Sequence, residues 1–139
     1  MGRIGTIALS ALAAMTNEEI QAFGRTLLER LPSAILPKTA AVRLGDWQPQ
    51  EHYCHDNVAT WVAHNPEDKH VFGFVYFSFQ GMLPYVRFAA HSVVERRGEL
   101  YDITPHGVTT RYPFLRFEGT VEEFAPWGEL GNLDIFRQR

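Results

Sequence analysis

The stretch AAHSVVERRGELYDITPH, residues 89–106, decides the fold, because it reads as two β-strands joined by a turn at Arg96-Arg97-Gly98-Glu99. One arm carries His91 and the other Asp102. Strand side chains alternate between faces, so the length of the turn decides whether these two can meet. A two-residue Arg97-Gly98 turn sets Arg96 opposite Glu99, Val93 opposite Asp102 and His91 opposite Thr104. His91 and Asp102 then lie diagonally on one face, at the roughly 7–8 Å spacing of diagonal neighbours, within reach of an imidazole meeting a carboxylate. A three-residue turn without a bulge would put them on opposite faces.

Working outward, VFGFVYFSF (71–79) is rich in aromatic and β-branched residues and too short for a buried helix, which predicts a strand in the sheet core. Gln80 to Pro84 turns the chain back into the first arm of the hairpin. Further strands are expected at about 85–95, 99–104 and, more weakly, 112–118, with a short helical turn near Val121 to Phe124. Upstream, TNEEIQAFGRTLLERLP opens on Thr16 with Glu19 three residues on, a capping box, and Ile20, Phe23, Leu27 and Leu31 follow at helical spacing until Pro32. CHDNVATWVAHNP predicts a second helix, with His55, Asp56 or Asn57 able to cap it, Val58, Trp61 and Val62 as its apolar stripe and Asn65-Pro66 as its end. Cys54 therefore falls at or just before a helix N-terminus. The expected architecture is α+β, N-terminal helices (about 16–65) packed on an antiparallel β-meander (about 71–118) within one domain spanning 1–139.

Composition narrows the function. A chain of 139 residues with 45% hydrophobic and 21% charged residues can bury one core without staples. The net charge of −3 and the scattered Lys and Arg give no electrostatic footprint for nucleic acid, and no run approaches the ~20 apolar residues of a membrane span. A single cysteine excludes an internal disulfide and points to a cytoplasmic protein. MGRIGTIALSALAAM, with an A-x-A pattern at Ala11 to Ala13, is the feature that favours secretion instead. No cofactor is expected. The partners expected are a peptide, a protein or a small amide, and oligomeric state is not legible.

A thiol attacks as thiolate, and a helix N-terminus beside an imidazolium lowers its pKa. If the meander packs on the second helix, His91 can supply that imidazolium and Asp102 can fix its tautomer. Cysteine at a helix start, histidine on a strand and aspartate on the next strand, in that order, resembles the papain-like cysteine hydrolase superfamily, closest to transglutaminase-like and NlpC-type cysteine endopeptidase domains. HSVVE (91–95) and LYDITP (100–105) look like the histidine and aspartate blocks, and Tyr53, Ala59 and Ala63 flank the cysteine much as that family's aromatic and small residues do. The tryptophan expected near the histidine is Val93 here, so the substrate class does not carry over. The resemblance implies a papain-like core and a Cys54, His91, Asp102 triad that forms a thioester with an amide or ester. It also implies an oxyanion role for Gln48, six residues before Cys54. Two other readings stay open. One is a binding module that keeps the fold, with Cys54 a small buried hydrophobe and His91 a satisfied strand histidine. The other is a metal-dependent hydrolase using His52, His55 and His91, in a region where Cys54, Asp56 and His106 add further ligand types.

Overall fold

The computed structural model describes residues 15–105 and 111–137. The hairpin forms with the two-residue turn: Arg96 pairs with Glu99, Glu95 with Leu100 and Val94 with Tyr101. Arg97 (φ 51°) and Gly98 (φ 82°) both take positive φ, as a type I′ turn requires, and that turn matches the twist of the flanking strands. Continuing the register by one pair sets Val93 opposite Asp102.

Among the described residues, three α-helices and six strands make an α+β fold: α1 (Asn17–Arg30), β1 (Lys38–Thr39), α2 (Cys54–His64), β2 (Lys69–Phe77), β3 (Tyr85–Arg96), β4 (Glu99–Asp102), β5 (Phe114–Arg116), α3 (Val121–Leu130) and β6 (Asn132–Phe136). The sheet is mixed, not the antiparallel meander expected. Its order is β1-β4-β3-β2-β5, with β6 also on β3. β1 pairs parallel to β4, Thr39 beside Asp102, because Pro37 delivers an extended chain to an edge of β4 that β3 leaves open. Two residues carry no periodicity, so this strand has no sequence signal. β5 runs along β2 instead of following β4.

The C-terminal region also departs from the expected short turn. Thr120 and Glu123 form a full capping box, and α3 then runs to Leu130, where Gly131 (φ 81°) ends it. Pro126 and Gly128 inside the helix conceal its length from a propensity reading. β6 follows, with Leu133 and Ile135 fully buried on its inner face.

Helices α1 and α3 cover Phe74, Val86, Phe88, Leu115, Leu133 and Ile135, joined by Leu27 and Phe124, in the largest core cluster. Val58 of α2 packs with Val94 and Ile103 in a second cluster. Strand alternation turns Val71 and Val93 to the opposite face, where they meet Leu100 and Phe114. Gly24 lets α1 sit directly on β6: a Cβ there would stand 2.0 Å from Ile135 Cδ1. Gln21 locks the same contact, donating to the Asp134 carbonyl (2.7 Å) and accepting the Phe136 N–H (3.1 Å).

One topological detail positions the site. β6 pairs with β3 from Tyr85 to Ala89, and β4 pairs with the same edge only from Val94 to Arg96. Among the described strands, His91 and Ser92 lie between the stretch of this edge that pairs with β6 and the stretch that pairs with β4. No helix among the described residues is long and apolar enough to cross a membrane. The N-terminal run considered as a signal lies, up to residue 14, outside the described residues.

Candidate active site

The I′ turn brings His91 and Asp102 together: His91 Nε2 stands 2.7 Å from Asp102 Oδ2. Asp102 is itself fixed, since Oδ1 accepts the Thr104 N–H at 3.1 Å and its carbonyl accepts the Ala40 N–H at 3.1 Å. His91 is only 7% exposed, so the pair sits where charges interact strongly.

Cys54 is the first residue of α2 and is half-buried. Tyr53 is the N-cap, without a side-chain capping bond. None of the expected caps, His55, Asp56 or Asn57, acts as one, because the helix begins before them and leaves them in its first turn. The backbone N–H groups at this end remain a positive pole beside the thiol. Asn57 does a different job. Buried at 3% exposure, it accepts the Gln50 N–H (3.0 Å) and donates to the Gln50 carbonyl (2.8 Å) and to Thr104 Oγ1 (3.0 Å). It thus ties the loop before Cys54 to the segment after Asp102. Asn57→Ala leaves those buried groups unsatisfied and is expected to cost about 1–3 kcal/mol in urea unfolding.

Burial pushes the Cys54 thiol up, but hydrogen bonding from His55 and His91, with their charge, outweighs it and brings the pKa to about 6. For His91, burial pushes down, while the bonds and charge of Asp102 and Cys54 lift it to about 9. Between those values the pair is a thiolate and an imidazolium. Over the same range folding removes a proton from Cys54 and retains one on His91, so the two linkages oppose each other and the pair imposes no net slope on stability across neutral pH.

Of the other expected site residues, Gln48 is exposed, in the loop just after the Leu44–Trp47 bridge. His52 is exposed too, with positive φ (73°), and its Nε2 lies 3.6 Å from Glu51. Among the described residues no group of three or more His, Cys, Asp or Glu side chains converges as a metal site. His106 lies outside the described residues.

The structure adds residues that the sequence reading did not gather. His55 Nδ1 is 2.5 Å from Ser92 Oγ, and His70 Nε2 is 2.8 Å from the same oxygen. His70 stacks on Phe72 at 3.9 Å between ring centres. Ser92 follows His91 directly, and alternation sends it to the other face of β3; only the pairing of Ser92 with Phe72 places it near His70. Burial, then the charge of His55, pushes His70 down to about 4. Its folded pKa thus lies below the unfolded 6.5, so the unfolded chain takes up a proton that the native state refuses, and stability falls as pH drops from 6.5 toward 4. His70→Gln is expected to remove part of that loss, read as a smaller difference in urea midpoint between pH 7 and pH 4.5.

Comparison with models of protein families, with curated proteins and with solved structures finds no match for this chain.

Proposed function

We propose that the chain is a cysteine-dependent acyl-transfer domain of papain-like, transglutaminase-like design, acting on an amide or ester carbonyl. The observation that carries the reading is the 2.7 Å His91–Asp102 bond beside a thiol at a helix start whose pKa is lowered to about 6. The thiolate of Cys54 attacks the carbonyl carbon, and the C=O electron pair moves to oxygen. The backbone N–H groups at the start of α2, with Gln48 as the side-chain donor, stabilise that oxyanion. As the tetrahedral species collapses, the imidazolium of His91 gives its proton to the departing amine or alcohol, leaving a thioester on Cys54. Asp102 keeps Nε2 engaged, so Nδ1 is the nitrogen the ring turns to sulfur and substrate. Water or an amine then attacks the thioester, His91 takes the proton from it, and the thiolate departs with the S–C electron pair. Water makes the protein a hydrolase, and an amine makes it a transferase.

Two measurements test this. The rate of iodoacetamide labelling against pH, with Cys54→Ser as blank, is expected to reach half its maximum near pH 6; a midpoint near ~8.5, that of an ordinary thiol, sinks the reading. Mass spectrometry after p-nitrophenyl acetate is expected to find an acetyl group on Cys54 that water removes. Absence of any acyl adduct, despite a reactive thiol, favours the binding module.

A further inference from the structure

His91, held by Asp102, hydrogen-bonds with Cys54, as does His55, whereas Ser92, the residue after His91, faces the other way across β3 and holds a second set of side chains. There His55, adjacent to Cys54 in the chain, reaches Ser92 Oγ through Nδ1 at 2.5 Å, and His70 reaches the same oxygen through Nε2 at 2.8 Å. Ser92 is fully buried, so no bulk water competes for its hydroxyl. The three side chains are clamped: His70 stacks on Phe72, and His55 packs against both Phe72 (6.1 Å) and the edge of Phe124 (5.9 Å). At its far end His70 lines a cleft of about 190 Å³ with Phe72, Arg116, Phe117 and Thr120.

We infer that His70, Ser92 and His55 form a second proton arm to Cys54, in which His55 presents Nε2–H to the sulfur and Ser92 and His70 are the positioning residues that hold it in that state. The inference rests on the cysteine-nucleophile reading and adds a donor to it. A serine hydroxyl has one hydrogen and two lone pairs, so it donates to one ring and accepts from the other. When His70 Nε2–H donates to Ser92, the hydroxyl hydrogen goes to His55 Nδ1, and the proton of a neutral His55 must sit on Nε2. When His55 is an imidazolium, Nδ1–H donates to Ser92, the hydroxyl hydrogen goes to His70, and Nε2–H is again present. The neutral Nδ1–H form of His55, which would turn a lone pair toward the thiolate, is excluded when His70 donates through Nε2–H, and that is the tautomer of His70 assigned to the arm. The arm makes and breaks no covalent bond. It gives the thiolate a second donor, so the imidazolium of His91 is free to swing its proton to the leaving group while sulfur keeps a hydrogen bond.

The test uses the full chain and iodoacetamide as probe, with ring tautomers read from long-range proton–nitrogen correlation spectra. In Ser92→Ala and His70→Ala, both of which keep Cys54, His91 and Asp102, labelling at pH 6 is expected to slow about fivefold, the loss of thiolate that a one-unit rise from about 6 gives. Their plateau rates at high pH are expected to stay unchanged, and His55 is expected to lose its Nε2–H signature. His70→Gln, whose amide can donate to Ser92, is expected to restore both, which a loss of packing alone does not permit. Far-ultraviolet circular dichroism identifies any variant that fails to fold, and His70→Gln against His70→Ala then decides alone. A parent midpoint near pH 6 that none of these variants moves, with the His55 tautomer unaltered, overturns the second arm and leaves the nucleophile reading standing. A parent midpoint near ~8.5 overturns the nucleophile reading itself.

Discussion

His91→Ala is expected to raise the midpoint of Cys54 alkylation from about pH 6 by one to two units, a roughly 5- to 50-fold loss of rate at pH 6, with little change above pH 9. The sign follows from what the substitution removes. Burial alone pushes the thiol up, and the histidine bonds and charge are what bring it down, so losing one of them leaves the penalty in place. The shift stops short of an ordinary thiol because His55 and the helix N-terminus remain. Asp102→Asn is expected to give a smaller shift, since the imidazole stays but loses the carboxylate that lifts it to about 9. Turnover of p-nitrophenyl acetate by His91→Ala is expected to fall about 10²- to 10⁴-fold, the usual contribution of a positioned acid–base group. A His91→Ala protein whose thiol still titrates near pH 6 would falsify the pairing.

Phe74→Ala is expected to cost about 3–5 kcal/mol, the range for emptying a buried aromatic position. Phe74 is fully buried and its ring meets Phe23 (5.6 Å), Phe124 (5.6 Å) and Phe117 (6.5 Å), so one truncation loosens α1, α3 and the segment after β5 together. In thermal unfolding this corresponds to a drop of roughly 10 °C or more. Met82→Ala is the matching control: Met82 is 81% exposed, and a surface change of that kind is expected to stay within about 0.5 kcal/mol. Equal losses for the two would mean that Phe74 does not hold the layers together.

Why His91 and Asp102 were legible while Ser92 and His70 were not is a matter of range. A two-residue turn fixes the register of a hairpin through local φ values, so Arg97-Gly98 determines which residues of one arm face which of the other. The start of α2 was readable within a residue for a similar reason, although its caps were not: Asn57, a good capping residue in isolation, is drawn instead to Gln50 and Thr104, a partner 47 positions away.

The elements missed share one property, that their partners are distant and their own pattern is short. β1 has two residues and exists because β4 offers an edge; α3 contains Pro126 and Gly128, which depress its helical signal while packing against Phe74 and Phe117 sustains it. The sequence by itself determined the hairpin, the two helices ahead of the sheet and the order of Cys54, His91 and Asp102, since turn chemistry, helical periodicity and chain order act within a few residues. Only the tertiary structure decided that the sheet is mixed, that β6 and β4 pair with separate stretches of one edge of β3, and that Cys54 hydrogen-bonds with both His55 and His91. Those outcomes depend on which distant surfaces win burial against each other, and no local rule carries that competition.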